Sequence, residues 1–315
     1  MGWTDASADW NSAAMARKHL ALVLGGGGAV GNAWLIGIVA GLADAGLDMA
    51  QIADLVIGTS AGATAAAQIL SGIPAKELLA SVLSPPAPPG GQSRAPQPSV
   101  PMTTVFARMR EIGAAAVSAV DLQRAMGAFG LECDAVLAPA AELRRATVAS
   151  RLPRHEWPEK AMLVTAVDAH TGVLVAFNRE SGVDVVDAVA ASCALPGLAP
   201  THDIGGTRYI DGGVRSPENA DLAAGYANVV VLSPLGGPRP PGQFEGLRRD
   251  PAWGTDLASQ VEALRQHGSR VEVITPDAET RTAMGTNQMD LATRIPAARA
   301  GFAQGKREAA RLTFL

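Results

Sequence analysis

Three short segments hold the residues whose types and spacing could do chemistry. Gly58-Thr59-Ser60-Ala61-Gly62 sets a serine between glycines two places away on either side. Between an incoming strand and an outgoing helix, such a string makes a nucleophile elbow. The turn is so tight that side chains two places from the serine would collide with neighbouring backbone. The serine itself sits in a strained conformation that lifts its hydroxyl clear. The following helix points its N-terminus at the serine and favours negative charge developing there. A plain small-residue turn can produce the same string, so its surroundings must decide.

The second segment, Gly25-Gly26-Gly27-Gly28-Ala29-Val30-Gly31, also follows an apolar run and precedes a helical pattern. Glycines let backbone N–H groups turn toward a ligand, and a helix behind them adds its dipole. Phosphate cradling and oxyanion stabilisation share that geometry, as does a turn needed only for close packing. A P-loop would carry Lys-Ser or Lys-Thr after the last glycine, where Asn32-Ala33 stand. A dinucleotide fingerprint wants an acidic residue at the end of the second strand, and the serine elbow occupies that place. The oxyanion reading fits better. The third segment is Tyr209-Ile210-Asp211-Gly212-Gly213. Asp before two glycines is ordinarily a turn residue, but here it closes a short apolar strand in a chain that also holds the other two segments.

These residues need elements to position them. Leu20 to Leu24 and Leu55 to Ile57 read as buried strands. Asn32 to Ala45 carries Trp34, Leu35, Ile38, Val39 and Leu42 at helical spacing, with Gly46 placed to end the helix. Ala61 to Leu70 reads as a buried helix. Parallel strands joined by crossovers follow, hence a three-layer α/β domain. Ser84 to Pro101 is rich in Pro, Gly, Ser and Gln and reads as a surface loop, with a flap over the site as one role for it. Helical character runs from Met102 to Phe129 and again over Ala140 to Ala149. Two strands are expected within Ala161 to Asn178, a helix over Val185 to Cys193, and strands at Arg208 to Ile210, Val229 to Leu232 and Val271 to Ile274. Pro238 to Gly242 reads as a loop. The expected organisation is a polar N-terminal tail over 1–18 and one domain over 19–315, with the Pro-rich loop at 84–101.

The 315 residues carry a formal net charge of −4, with 48% hydrophobic and 18% charged residues. General disorder is excluded, and nothing suggests nucleic acid as a partner, since that wants clustered Lys and Arg. Cys133 and Cys193 are too few for a disulfide framework and suit a reducing compartment. The expected setting is cytoplasmic, with peripheral contact at a membrane surface to reach substrate.

The glycine loop near residue 25, the Gly-Thr-Ser-Ala-Gly elbow about thirty residues later and the distant Asp-Gly-Gly together resemble the patatin-like phospholipases. Ala191-Ser192-Cys193-Ala194-Leu195-Pro196-Gly197 also looks like that family's stretch, so the resemblance spans roughly Leu20 to Pro217. It implies a three-layer α/β/α fold with a mostly parallel central sheet. It also implies a serine acyl hydrolase acting on lipid or other acyl esters, in which the aspartate takes the serine proton directly. Carried over by motif, Ser60 is the nucleophile and Asp211 the base. The amides of Gly26, Gly27 and Gly28 form the oxyanion hole, and Gly31, Gly58, Gly62, Gly212 and Gly213 support the motifs. No cofactor or metal is implied. The family often has Arg or Lys just before the last glycine of the loop, where this chain has Val30. Two rivals stand beside this reading. Ser60, Asp211 and His267 occur in the order of an ordinary Ser-Asp-His triad, and a patatin-like scaffold could have lost its chemistry. Apolar neighbours Tyr209 and Ile210 lead to the expectation of a desolvated carboxylate at Asp211.

Overall fold

Short apolar strands alternate with helices from residue 20 onward, and that order requires parallel strands with a helix on each crossover. The computed structural model describes residues 19–84, 99–238 and 250–314. The expected tail over 1–18, residues 85–98 of the expected flap and residues 239–242 of the loop at Pro238 to Gly242 lie outside the described residues.

Eight strands form one sheet: β1 (Leu20–Leu24), β2 (Leu55–Thr59), β3 (Ala161–Asp168), β4 (Leu174–Phe177), β5 (His202–Ile204), β6 (Thr207–Asp211), β7 (Asn228–Leu232) and β8 (Arg270–Ile274). They are ordered β5-β6-β3-β2-β1-β7-β8, with β4 also paired to β3. The pairs β8–β7, β7–β1, β1–β2 and β2–β3 are parallel, while β4, β5 and β6 join antiparallel. The expected strands all form. The short strand β5, made of His202, Asp203 and Ile204, escaped the pattern because it carries only one apolar residue.

The helices are α1 (Gly28–Asp44), α2 (Met49–Ile52), α3 (Ala61–Ile69), α4 (Ala75–Leu83), α5 (Met102–Ala115) and α6 (Ala119–Leu137). They continue with α7 (Ala141–Ala149), α8 (Val185–Ser192), α9 (Leu257–Gln266), α10 (Ala278–Met284) and α11 (Arg294–Glu308). Two differ from expectation. The helix expected from Asn32 begins at Gly28, so the second half of the glycine run is already helical. The helical stretch expected from Met102 to Phe129 is two helices. It breaks at Ser118, whose hydroxyl accepts from the Asp121 N–H at 3.1 Å and caps α6.

Alternation along β1 explains the layers. Leu20, Leu22 and Leu24 pack into a core with α1, α3 and α8, while Ala21 and Val23 pack on the opposite face with Val261 and Leu264 of α9. α1 is apolar on every side, as a helix buried all round must be. It lies so close to α11 that a Cβ on Gly37, Gly41 or Gly305 would strike backbone of the facing helix, at Ala298, Phe302 and Ile38 respectively. Those glycines bring α11 and its first residue, Arg294, against the same end of the sheet as the glycine loop.

Candidate active site

The pairing of β3 places the two catalytic candidates. Thr165 of β3 pairs with Thr59 on one side and Ala176 on the other, and the next residue, Ala166, pairs with Asp211 and Val175. Since β4 occupies one edge at both of these registers, β2 and β6 share the other. They run toward each other and stop at adjoining registers, about 3.3 Å apart along β3. Ser60 leaves the end of β2, and Asp211 is the last residue of β6. Both line one cavity of about 1910 Å³, together with Gly26, Gly27, Gly28 and Gly213.

Local sequence builds each end. Ser60 sits at φ 55°, ψ −116°, one of two non-glycine residues with positive φ among those described. The flanking glycines have the expected steric reason. A Cβ on Gly62 would strike the Leu24 carbonyl oxygen, and one on Gly58 would come within 2.5 Å of the Ala63 Cα. Asp211 is 3% exposed, and its Oδ1 accepts from the Gly213 N–H at 2.7 Å. A Cβ on Gly212 would run into Thr165, so the Asp-Gly-Gly turn can pass close over β3 only without side chains.

The glycine loop narrows the expected oxyanion hole. The Gly26 N–H donates to the Pro217 carbonyl at 2.8 Å, so it points into the protein. Gly25 is likewise bonded to Leu232, Val30 to Gln288, and Gly31 to Gly27. The amides of Gly27 and Gly28, at the start of α1, have no such partner among the described residues. Gly26 faces inward for a simple reason: its bond closes the loop against a segment nearly two hundred residues away. Val30 is fully buried and faces the core, which is no place for a cation.

Residues to which the sequence assigned no individual role hold the site in register. The Ser60 N–H donates to Ser192 Oγ at 2.8 Å, and the Cys193 thiol donates to the Ser60 carbonyl at 3.4 Å. The Asp211 N–H donates to the Ala194 carbonyl at 3.0 Å. Three consecutive residues at the C-terminal end of α8, Ser192, Cys193 and Ala194, therefore grip both candidates. Burial, and then the charge of Asp211, push the Cys193 thiol up, so it stays protonated and is no rival nucleophile. Asn219 is the second anchor. Fully buried and left-handed at φ 51°, its side-chain amide donates to Ser216 O at 2.8 Å, Thr59 Oγ1 at 3.1 Å and Gly212 O at 3.3 Å. Its carbonyl accepts from Arg215 at 2.8 Å. One side chain thus ties the end of β2 to the Asp-Gly-Gly turn.

His267 is not brought to the site. It caps α9 as an exposed residue, with Nδ1 2.7 Å from the Ala263 carbonyl oxygen of its own helix. None of the described histidines lines the cavity. Among the described residues no group of three or more His, Cys, Asp or Glu could hold a metal ion, and no helix is long and apolar enough to cross a membrane.

The model of the patatin-like phospholipases matches residues 22–224, nearly two thirds of the chain, including the glycine loop, the Ser60 elbow and the Asp-Gly-Gly turn. This chain belongs to the patatin-like phospholipase family. Membership makes it a lipid acyl hydrolase in the general sense. Among solved structures, VipD from Legionella pneumophila aligns over 94% of this chain and 67% of its own, at 15% identity and a TM-score of 0.44. No curated protein sequence matches the chain. Within this patatin-like chain the matched region ends at Ala224, so α9, α10, α11 and strands β7 and β8 lie beyond it.

Proposed function

We propose that this patatin-like protein cleaves carboxylic esters of lipids through a Ser60–Asp211 dyad and an acyl-enzyme. Ser60 Oγ attacks the ester carbonyl while Asp211 takes its proton. The resulting oxyanion receives hydrogen bonds from the amides of Gly27 and Gly28, with the positive ends of α1 and α3 behind it. Collapse of the tetrahedral intermediate expels the alkoxide, which Asp211 protonates. Water then attacks the acyl-serine with Asp211 again as base, and collapse releases the acid as Asp211 returns the proton to Ser60 Oγ. Donors of this kind are typically worth about 3 kcal/mol each.

The observation that carries this reading is the head-to-head meeting of β2 and β6 on one edge of β3. It supports a direct Ser60–Asp211 pair by bringing the strand ends that carry them to adjoining registers, and none of the described histidines lines the cavity. Ile36, Leu78, Leu152, Leu198 and Met284 also line it, which suits an acyl chain. A p-nitrophenyl ester series from acetate to palmitate tests the reading. Ser60→Ala and Asp211→Asn should each lower kcat/KM by about a thousandfold or more, while His267→Ala should leave it unchanged. A folded His267→Ala protein that is equally inactive would establish the triad instead. Wild type that neither turns over nor reacts with a fluorophosphonate would point to a scaffold without chemistry.

A further inference from the structure

Several arginines elsewhere in this protein face carboxylates, and others, such as Arg124 and Arg179, bond backbone carbonyls. Arg145 forks onto Asp187 at 2.6 and 3.0 Å, Arg215 onto Asp221 at 2.9 and 2.6 Å, and Arg307 reaches Asp277 at 2.7 Å. Arg144, Arg151 and Arg294 do not. All three line the cavity that contains Ser60. No carboxylate among the described residues lies within ion-pair distance of any of them. Arg144 touches the Cys193 carbonyl with one Nη at 3.3 Å, and its Nε is buried with no hydrogen-bond partner. The side chains of Arg151 and Arg294 make no hydrogen bond among the described residues.

The three are also close enough to repel. Desolvation lowers the Arg151 pKa first, and the charges of Arg144 and Arg294 lower it further. Arg151 is exposed to solvent and lines the cavity. Arg294 opens α11, at the end of the helix dipole where a cation is least favourable. Two carboxylates share the cavity, Asp211 in the dyad and Glu77 on the exposed side of α4. Three like charges from two distant segments, one with a buried donor left unmade, cost stability that no partner among the described residues returns.

We propose that Arg144, Arg151 and Arg294 form a phosphate-binding subsite in the wall of the catalytic cavity, holding the phosphate group of a substrate whose ester carbonyl lies at Ser60. The proposal rests on reading this cavity as that of a lipid acyl hydrolase and adds which chemical group it recognises. A carboxylate offers two oxygens, which one guanidinium fork fills. A phosphate presents oxygens in a tetrahedron that forks from several sides can reach, and its charge relieves the repulsion among the arginines.

Calorimetric titration of the full chain carrying Ser60→Ala tests this without turnover, so the result stands whether or not the dyad assignment does. The probes are a short-chain diether phosphatidate, the matching diether glycerol and inorganic phosphate. The phosphatidate should bind at least about tenfold more tightly than the neutral diether. Arg151→Gln and Arg294→Gln should each remove most of that ratio. Arg151→Lys, which keeps the charge and loses the fork, should retain part of it, and melting curves show that each variant is folded. Inorganic phosphate that binds more weakly, and is displaced by the phosphatidate, supports a lipid headgroup as the source. Inorganic phosphate that binds as tightly, and is lost in the same variants, supports the subsite with free phosphate as its ligand. Equal affinity for the charged and neutral diethers, or an unchanged ratio in both glutamine variants, overturns the proposal.

Discussion

The cavity has two walls built on opposite terms. On one, where β2 and β6 meet, polar groups are bonded to one another: Ser60 to Ser192, Asp211 to Ala194 and Gly213, and Thr59 to Thr165 and Asn219. On the other, Arg144, Arg151 and Arg294 crowd together with a buried donor unmade. A group that must hold its geometry through a reaction benefits from being tied down beforehand, because reorganisation would otherwise add to the barrier. A group that must welcome a charged ligand benefits from being left incomplete. On the reading proposed above, the contrast separates reaction from recognition within one cavity.

The largest effect that could break this contrast is the loss of Ser60 or Asp211, expected to abolish turnover on every ester alike. Asn219→Ala should follow. It removes the donor shared by Thr59, Gly212 and Ser216, and should cost about 2 kcal/mol of stability. Its kcat should fall by about tenfold to a hundredfold with KM little changed, because Asn219 acts through the position of the dyad. Steady-state kinetics beside a denaturant titration would separate those effects, and a KM-only effect would move Asn219 to the recognition wall. Salt should then divide the walls. Raising ionic strength should weaken turnover of an anionic phospholipid severalfold and leave a neutral ester unaffected. Equal loss on both would mean that the arginines do not read charge.

The smallest effect concerns the support of α8. Burial opposes ionisation of Asp187, yet hydrogen bonds from Arg145 and His202 outweigh it and hold its carboxyl below the usual carboxylate range. That stabilisation is present above the ordinary aspartate pKa and is lost as pH falls through the lower folded value. Asp187→Asn should therefore cost about 1 kcal/mol or less at pH 7 and nothing in strong acid. Melting curves across acid pH measure it, and a cost persisting unchanged into strong acid would exclude the charged pair as its source.

What could be read from the sequence was local. Ser60 and its glycines announce a strand–turn–helix within five residues, and Asp211 ends a strand that alternation reveals. The apolar runs of β1, β2 and β7 left little choice but a buried, mostly parallel sheet. The anchors were hidden because their meaning is a long-range contact: Ser192 and Asn219 reach partners 132 and 160 residues away. Ser192 lies in a stretch that already resembled the family, but resemblance did not say what its hydroxyl does. The engagement of Gly26 by Pro217 was hidden for the same reason, as was the convergence of arginines from α7, the segment after it and the start of α11. The start of α1 at Gly28 went unread because glycine is a poor helix former, and here tertiary packing overrides that preference.

The left-handed turn at Ser60 also leaves a mark on thermal resistance. Side chains resist that conformation by about 1–3 kcal/mol, and glycine does not. Ser60→Gly should therefore yield a protein that does no chemistry and melts a few degrees higher than its parent. On the proposed reading, a serine held at φ 55° measures in degrees of lost heat tolerance what the molecule gives up in order to react.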